Sequence, residues 1–503
     1  MLYCQNLTIT HKSDGRALIR DFTFSPRAGE HLAVIGEEGN GKSTLIRAFH
    51  DPALISAYAS VSGTITKGGS VTGYLPQEPD PKLAGMPVYE YLENALSGVR
   101  LEVGELSRLS RDMGIPFDSL YADRPLGSFS GGEQVKLRLL RMLADMPDLI
   151  LLDEPSNDLD IPTLEWLERF IRESDAPVLY ISHDETLLEN TANVIIHLEQ
   201  VRRKTIPLCT VTRCGYREYI ERREASRAHQ TQVARKEKEE YEKQQEKFRR
   251  IQSRVEHEQN VISRQDPHGG RLLKKKMAAV KSMERRFERE HSEMTQLPET
   301  EDEIFVRFSP EITSSRGKTV LDLHLDTLAN EGGELAKNID LHIGGGEKVC
   351  IVGRNGAGKT TLLRLIAERL LARTDIKAAY MPQDYAERMD LSLTPVEFLS
   401  RTGDKEELTA IRTYLGSMRY TAAETEHPIS ALSGGQKAKL YFIAMNLDRC
   451  DVLLLDEPTR NFSPLSGPVI RQALREYGGT VISVSHDRKF ISEVCDRVFL
   501  LGE

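Results

Sequence analysis

Short apolar runs alternate with longer stretches of mixed polarity in both halves of the chain. Six runs have the length and composition of one buried strand: His31–Ile35, Leu149–Leu152 and Val178–Ile181 in the first half, and Lys348–Val352, Val452–Leu455 and Thr480–Val484 in the second. The first run leads through a glycine-rich loop into a helical stretch, Ser43–Phe49. Strands that alternate with helices form parallel sheets, so the pattern predicts an α/β fold in each half.

The pattern changes between these halves, over roughly residues 217–294. Apolar residues there recur at heptad-like steps in two groups. The first group is Tyr241, Phe248, Ile251, Val255 and Ile262, and the second is Leu273, Met277, Val280, Phe287 and Met294. The turn residues DPHGG, at positions 266–270, separate the groups. We therefore predict two long antiparallel helices joined at a tip.

The two halves are copies of one module. Ser130, Glu154 and His183 each have a counterpart 303 residues later, at Ser433, Glu457 and His486. A constant offset over several motifs indicates a tandem duplication. A chain of 503 residues is also too long for one hydrophobic core. We predict a first domain over residues 1–205, a linker over 206–300 and a second domain over 301–503.

Each copy carries a glycine-rich loop of the kind that binds phosphate, GEEGNGKS at 36–43 and GRNGAGKT at 353–360. Glycines let successive backbone N–H groups close around a triphosphate, a lysine reaches its outer oxygens, and a hydroxyl binds Mg²⁺. The predicted ATP-binding residues are Gly36, Gly39, Gly41, Lys42, Ser43 and Thr44 in the first copy, and Gly353, Gly356, Gly358, Lys359, Thr360 and Thr361 in the second. Ser43 and Thr360 are the predicted Mg²⁺ ligands among them.

Two adjacent carboxylates end one apolar run in each copy, Asp153–Glu154 and Asp456–Glu457. The aspartate would hold Mg²⁺ through its water shell, and the glutamate would polarise the attacking water. An acidic pair at the end of a strand is otherwise often a helix cap. Its place between the other repeated motifs favours catalysis.

The segments SGGEQ and SGGQK resemble the signature of the ABC superfamily. In that family the signature loop of one half caps the ATP held by the other half. The resemblance assigns ATP contacts to Ser130, Gly131, Gly132 and Gln77 in the first copy, and to Ser433, Gly434, Gly435 and Gln383 in the second. It makes His183 and His486 switch histidines that act with Glu154 and Glu457. It thus implies two P-loop ABC ATPase domains that pair within one monomer around two ATP molecules.

The second copy departs from this pattern after its acidic pair. SNDLD, ending at Asp160, resembles the usual D-loop, whereas the matching segment is TRNFS, ending at Ser463. A carboxylate expected along the seam is therefore missing from one copy, and we expect unequal turnover at the two sites. His11 is the candidate by position for stacking on adenine in the first copy.

Composition and charge narrow the class of protein. No window has the roughly 18 uninterrupted apolar residues of a membrane span, and the start MLYCQNLTITHK lacks the features of a signal peptide. The six cysteines form no CxxC pair, which favours free thiols in a reducing compartment. The net charge is −9, yet residues 217–290 hold 21 Lys and Arg against 14 Asp and Glu. A cytoplasmic protein with a polyanionic partner is expected.

The architecture of cassette, charged helical hairpin and cassette resembles the ABC-F proteins over the whole chain. CGYREYIERRE, at Cys214–Glu224, is similar to their entry into the linker. The resemblance implies a ribosomal partner, contacted at the rRNA from the tRNA exit site, with P-site tRNA as a further candidate contact. It leaves open an antibiotic-resistance branch, which dislodges drugs near the peptidyl-transferase centre, and a housekeeping translation factor.

One interval bears on that choice. Gln77 to Ser130 spans 53 residues, against 50 from Gln383 to Ser433, so the arm that translation regulators often insert there is missing. This favours ribosome protection. The ATPase subunit of a transporter remains an alternative, whereas a DNA-repair ATPase would carry a longer coiled coil or a zinc hook.

The predicted tip, near residues 263–281, is strongly basic. Its cations are Arg264, Arg271, Lys274, Lys275, Lys276 and Lys281, with Asp266 as the acid among them. Such a cluster gains binding free energy at an RNA backbone by releasing counterions. The alternative is a solvated helix end.

Overall fold

The apolar runs of the first repeat form a six-stranded sheet in the order β5-β6-β7-β3-β8-β9. Its strands are β3 (His31–Ile35), β5 (Thr72–Leu75), β6 (Leu149–Asp153), β7 (Val178–Ile181), β8 (Val194–Gln200) and β9 (Ile206–Thr212). Neighbours from β5 to β8 are parallel, and β9 is antiparallel to β8. Every residue of β3, β6 and β7 is buried, as expected for a parallel sheet with both faces covered.

A second, antiparallel sheet in the order β2-β1-β4 completes the strands of this repeat. Its strands are β1 (Tyr3–His11), β2 (Ala17–Phe24) and β4 (Ala59–Thr66). The helices are α1 (Lys42–His50), α2 (Val88–Tyr91), α3 (Val103–Asp112), α4 (Gly131–Leu143), α5 (Ile161–Glu173) and α6 (Glu185–Thr191). Short 3₁₀ helices lie at Pro52–Ile55, Pro81–Leu83, Phe117–Tyr121 and Leu126–Ser128.

The second repeat has a parallel sheet in the order β13-β14-β15-β12-β16 and a hairpin, β10-β11. The strands are β10 (Thr319–Asn330), β11 (Gly333–Gly344), β12 (Lys348–Val352), β13 (Ala378–Met381), β14 (Val452–Asp456), β15 (Thr480–Val484) and β16 (Arg497–Leu500). The helices are α8 (Lys359–Leu371), α9 (Pro395–Leu399), α10 (Lys405–Ser417), α11 (Ala422–Glu426), α12 (Gly434–Leu447), α13 (Gly467–Glu476) and α14 (Arg488–Val494), with 3₁₀ helices at Tyr385–Glu387 and Ile429–Ala431. The predicted α/β fold of both halves is confirmed.

This computed structural model describes residues 2–93, 102–157, 159–201, 206–261, 275–283, 285–287, 289, 308, 318–330, 333–418 and 420–502. It divides into two compact units, of which one comprises Met1–Tyr216 with Glu301–Glu503 and the other Arg217–Thr300. Both repeats thus belong to one unit. The predicted start of the linker at residue 206 is too early, because β9 pairs with β8 and extends the first repeat's sheet.

The described residues of the linker unit are helical. Its first arm is α7 (Tyr216–Val261), and residues 275–283, 285–287 and 289 of the second arm are also helical. Phe248 and Val280 are buried, and the rings of Phe248 and Phe287 lie 5.5 Å apart. The predicted helical hairpin is thereby confirmed. Ile251, one of the heptad-spaced residues of the first arm, is 43% exposed.

The expectations from composition concern the cysteines and membrane-spanning helices. All six cysteines are free. Within the ranges that the structure describes, none of the helices combines the length and apolar character needed to cross a bilayer.

Candidate nucleotide sites between the two repeats

Each glycine-rich loop joins an inner strand of its sheet, β3 or β12, to a helix. In the first repeat the loop follows β3 and leads into α1, with Gly41 in the left-handed region at the helix N-terminus, at φ 91°. Gly36 lies so close to the backbone of Leu198 that a Cβ would be 2.2 Å from its carbonyl oxygen. Lys42 Nζ donates to the carbonyl oxygens of Gly36 and Glu37, at 2.8 and 3.1 Å. The ammonium thus lies over the loop, at the carboxyl end of the sheet where α/β proteins bind ligands.

The second loop repeats this geometry. Gly358 begins α8 at φ 92°, and a Cβ on Gly353 would be 2.6 Å from the carbonyl oxygen of Leu501. Lys359 Nζ donates to the carbonyl oxygens of Gly353 and Arg354, both at 2.9 Å. Burial lowers the pKa of this lysine. Both loops are therefore shaped by the same close approach of backbone to backbone.

A hydroxyl and a carboxylate meet beside each lysine. Ser43 Oγ donates to Asp153 Oδ1 at 2.8 Å, and Thr360 Oγ1 lies 3.4 Å from Asp456 Oδ1. Burial raises the pKa of both aspartates to about 6. Their second oxygens, Oδ2, are buried without a hydrogen-bond partner in the described part of the chain. A buried carboxylate beside a hydroxyl is the oxygen donor set that Mg²⁺ takes, so these residues fit that ion.

The next residue in each copy, Glu154 or Glu457, turns the backbone sharply. Their φ angles are 52° and 51°, in the left-handed region that costs an L-residue about 1 to 2 kcal/mol. The N–H of Glu154 donates to the carbonyl of Ile181, and that of Glu457 to the carbonyl of Val484. Burial, followed by the charge of Asp456, raises the pKa of Glu457 to about 8. Both acidic residues thus make the same strained turn directly after a buried strand, β6 or β14.

The predicted switch histidines lie beside these glutamates. His183 Nε2 is 2.9 Å from Glu154 Oε1, and His486 Nε2 is 3.7 Å from Glu457 Oε1. His183 also reaches the other repeat, because its Nδ1 lies 2.5 Å from the carbonyl oxygen of Phe462. A carbonyl oxygen can only accept, so Nδ1 carries the proton of that bond.

The signature loops begin long helices, and the second one touches the opposite phosphate loop. Ser130 and Ser433 cap α4 and α12, each in a capping box. The Glu38 carboxylate, in the first phosphate loop, accepts from the backbone N–H groups of Gly434 and Gly435, at 3.1 and 2.6 Å. A helix N-terminus and a carboxylate thus form a charge-assisted contact between the repeats.

A cavity of about 430 Å³ lies at the second phosphate loop. Most of the residues predicted for that site line it: Gly356, Gly358, Lys359, Thr360, Thr361, Gln383, Asp456, Glu457 and His486. Gly131, from the signature of the first repeat, lines it as well. Ser130 and Gly132 line a neighbouring cavity together with Asn355 of the second loop. The structure therefore brings the two halves of this predicted site together.

The first site is built from the same parts. A cavity of about 360 Å³ is lined by Gly39, Gly41, Lys42, Ser43, Thr44, Gln77, Glu154 and His183. Ser433 and Gly435 line an adjoining cavity with Glu38 and Gly39. Each site thus combines a phosphate loop from one repeat with a signature loop from the other.

The structure adds residues that sequence patterns missed. Tyr58 lies in the first cavity beside His11, with ring centroids 6.2 Å apart. Arg460 lines both cavities and Asn157 does so too. Asn157 and Arg460 each lie three residues after a catalytic candidate, Glu154 or Glu457, and this spacing could have indicated them in the sequence. No sequence pattern near Tyr58 indicates that it lies at the site.

The D-loop difference has a structural consequence. Asp160 caps α5 by accepting from Thr163 N at 3.1 Å, and it lines a cavity with Arg354 and Asn355 of the other repeat. The corresponding Ser463 lies three positions further from the start of its helix, because α13 begins only at Gly467. The copy without the carboxylate therefore loses the first turn of that helix.

Half of the predicted RNA contacts lie outside the described residues. Arg264, Arg271 and Lys274 lie there, together with the turn at 266–270. Lys275, Lys276 and Lys281 are described, helical and exposed.

The chain is similar to known proteins over nearly its whole length. The family model described as ABC transporter matches residues 19–157 and 336–460. ABC transporter F family member 5 of Arabidopsis thaliana is 28% identical, over 98% of this chain and 74% of that protein. Ribosome protection protein VmlR of Bacillus subtilis is also 28% identical, over 98% of this chain and 86% of its own length. These similarities confirm the resemblance to ABC-F proteins.

A solved structure shows a similar fold. The archaeal ribosome recycling factor aABCE1, solved in complex with the ribosomal stalk protein aP1, matches at a TM-score of 0.60 and 19% identity. The match covers 99% of this chain and 88% of that one. At this identity the likeness concerns the fold alone.

The two sites differ in residues that contact their nucleotide cavities, which predicts unequal turnover. The second site has Asp160 on its border and the uncharged Asn355 in its loop. The first has Ser463 and Glu38 at the equivalent positions. We expect Glu457→Gln to remove most of the steady-state ATPase rate, since loss of a general base costs roughly 100-fold or more at the affected site, and Glu154→Gln to leave about half of it or more.

The control for this comparison is Glu165→Gln, which changes an exposed glutamate of the same chain. It should leave the rate unchanged. Equal losses for Glu154→Gln and Glu457→Gln would contradict the asymmetry.

Proposed function

Because the chain belongs to the ABC transporter family and carries two of its ATPase domains, we propose that it closes around two ATP molecules and acts on the ribosome. The observation that carries the first part is that each phosphate loop meets the signature loop of the other repeat. A triphosphate held there would contact both repeats. ATP binding would then join the repeats and hydrolysis would release them.

The roles of the side chains follow from their positions. Lys42 and Lys359 would hold the outer phosphates, next to the carbonyls that they now contact. Ser43 with Asp153, and Thr360 with Asp456, would hold Mg²⁺, which neutralises charge on the phosphates when bound. The remaining proposed ATP contacts are Gln77 and Gln383 beside the loops, and Ser130 to Gly132 and Ser433 to Gly435 from the opposite repeat.

Glu154 and Glu457 would orient and polarise the attacking water, with the neighbouring histidine fixing each carboxylate. His183 is suited to this role because it bonds at once to Glu154 and to the main chain of the opposite repeat. It would therefore couple the position of the catalytic carboxylate to closure. The high pKa of Glu457 belongs to a carboxylate buried beside a second one.

Glu38 would compete with ATP at the first site. Its carboxylate accepts from the backbone N–H groups of Gly434 and Gly435, which belong to the signature loop that we assign to ATP. Two anions do not share one pair of N–H donors, so ATP at this site would displace Glu38. The equivalent position in the second repeat is Asn355, which carries no charge. Binding at the first site would therefore require more ATP than binding at the second.

The ribosomal part of the proposal rests on the linker and on the relatives. In the described part of the second arm, Lys275, Lys276 and Lys281 are exposed. An RNA backbone would attract them. One relative that aligns with 98% of this chain is named for ribosome protection. We infer a cytoplasmic, ribosome-associated monomer whose repeats pair with each other and whose partners are rRNA and P-site tRNA.

Within that role we favour displacement of antibiotics from near the peptidyl-transferase centre. The interval from Gln77 to Ser130 has no inserted arm. The first-repeat residues 94–101 within that interval are outside the described part of the chain. A housekeeping translation factor is the second candidate, since an F family member is as similar as the ribosome protection protein, at 28% identity.

Co-sedimentation tests the ribosomal role. The variant Glu154→Gln, Glu457→Gln should remain closed around ATP and should pellet with ribosomes. A control that adds Lys42→Ala and Lys359→Ala to this variant should stay in the supernatant, because it lacks the phosphate-binding lysines. Retained ATP binding without ribosome pelleting would favour the ATPase subunit of a transporter instead.

A translation extract distinguishes the two ribosomal candidates. We expect the protein to restore synthesis that an antibiotic at the peptidyl-transferase centre inhibits, and the variant Lys275→Glu, Lys276→Glu, Lys281→Glu to restore less. A protein that binds ribosomes but leaves the inhibition unchanged would be the housekeeping factor.

Titration with ATP tests the role of Glu38. In the Glu154→Gln, Glu457→Gln background, Glu38→Asn should tighten ATP binding at the first site by about ten-fold, or about 1.4 kcal/mol, since a competing carboxylate is removed. Glu37→Gln, at the adjacent loop position, is the matched control and should change little. Weaker binding by Glu38→Asn, or an equal gain from Glu37→Gln, would rule out the competition.

A further inference from the structure

Two arginine–glutamate pairs join the repeats. They lie on the helices α5, α6, α13 and α14. Arg471 of α13 binds Glu185 of α6 through both terminal nitrogens, at 2.6 and 3.2 Å. Arg488 of α14 binds Glu168 of α5, and its guanidinium is 3.2 Å from Asp184. The side chains of Arg471 and Glu185 are only 4% and 7% exposed, so their contact is withdrawn from water.

The four paired residues occupy only two positions of the repeated module. Glu168 and Arg471 are equivalent at the 303 offset, and so are Glu185 and Arg488. Exchanging the repeats turns the contact of Glu168 with Arg488 into the contact of Arg471 with Glu185. The two ion pairs are therefore one contact made twice, across an approximate twofold relation between the repeats.

The charges are divided by repeat and not by position. Both positions are acidic in the first repeat and both are arginine in the second. If two first repeats paired in this geometry, Glu168 would face Glu185 twice, and two second repeats would place Arg471 against Arg488 twice. Like charges in a buried contact are strongly unfavourable. Only a first repeat against a second repeat gives two opposite-charge pairs.

Lys489 follows the same division, whereas Glu493 does not, because it is an acid of the second repeat and pairs with Arg471 at 2.8 Å. Lys489 Nζ is 3.2 Å from Glu185 and 2.7 Å from Glu189, whereas the equivalent residue of the first repeat is the uncharged Thr186. Gly467, equivalent to Leu164, makes room for the buried pair, because a Cβ there would lie 2.4 Å from Glu185 Oε1. The second repeat has thus changed in size and in charge around the acids of the first.

We propose that this division of charge is a pairing code: it directs each first repeat to a second repeat, and it excludes pairing of like repeats from two chains. The partner surface for residues 168 and 185 is therefore the arginine surface of a second repeat. The code concerns which repeats pair, and it depends neither on the ribosome nor on which site turns over.

Transplanting the code between repeats tests it in the full chain. The all-basic variant gives the first repeat the second repeat's residues, Glu168→Arg, Glu185→Arg and Thr186→Lys. The all-acidic variant makes the reverse change, Arg471→Glu, Arg488→Glu and Lys489→Thr. It also carries Glu493→Asn, the first repeat's residue at that position, because Glu493 pairs with Arg471 within the second repeat at 2.8 Å. The exchanged variant carries the substitutions of both. We expect the all-basic and the all-acidic variant each to lose at least ten-fold in ATPase rate and to show a larger radius of gyration by X-ray scattering, and the exchanged variant to recover both within about two-fold.

Mixing the all-basic and all-acidic variants distinguishes the pairing code from a role of these residues in stability alone. An equimolar mixture of the all-basic and all-acidic variants should form a dimer, twice the 56.7 kDa of one chain by light scattering, and should regain ATPase activity, whereas each variant alone should not. Failure of the exchanged variant to recover, or a mixture that stays monomeric and inactive while circular dichroism shows both variants folded, would overturn the code.

The control and a milder variant pair keep the test decisive. Arg401→Glu breaks the exposed ion pair with Asp448 inside the second repeat, and it should leave activity and radius unchanged. If the all-basic or the all-acidic variant does not fold, the test uses only the less buried pair, Glu168 with Arg488. Glu168→Arg and Arg488→Glu are then measured singly and together. Rescue of both single losses by the double variant supports the code, and additive losses contradict it.

Discussion

The site chemistry depends on one constraint: neither phosphate loop has all its partners within its own repeat. The main-chain N–H groups that complete the first loop belong to Gly434 and Gly435, almost 400 residues away in the chain. The carbonyl that fixes His183 belongs to Phe462 of the same distant repeat. In the proposed function, catalytic geometry and closure of the repeats would therefore be the same event, which would let a nucleotide act as a switch.

Duplication supplied the symmetry of this arrangement, and later divergence removed part of it. The phosphate loops, strand-end carboxylates and capping boxes are alike in both copies. The differences lie where one repeat touches the other: Glu38 against Asn355, Asp160 against Ser463, and two acids against two arginines. A core residue has to satisfy its own repeat, whereas a seam residue has to suit a different neighbour in each copy. Unequal sites in an equal fold follow from that distinction.

Much of this could be predicted from the sequence. Buried parallel strands are continuous apolar runs, and the glycine loops and acidic pairs follow them directly, so local pattern was enough to place β3, β6 and their counterparts. Strand β9 was not predicted, because Ile206–Thr212 is only partly buried at the edge of its sheet and does not form a continuous apolar run. The heptad spacing did not reveal that Ile251 is exposed, because a heptad step does not fix which face of a long helix is covered. The partners of Glu38 and Arg471 depend on contacts across about 290 to 400 residues, which no local pattern encodes.

The most direct test of the shared sites is a double-mutant cycle on ATPase rate. Ser433→Arg blocks the signature loop of the second repeat, which completes the site of the first. Combined with Glu154→Gln it should cause no further loss, because both changes disable one site, whereas combined with Glu457→Gln it should abolish the remaining activity. If Ser433→Arg were instead redundant with Glu457→Gln and additive with Glu154→Gln, each repeat would hold a complete site of its own and the account would be wrong.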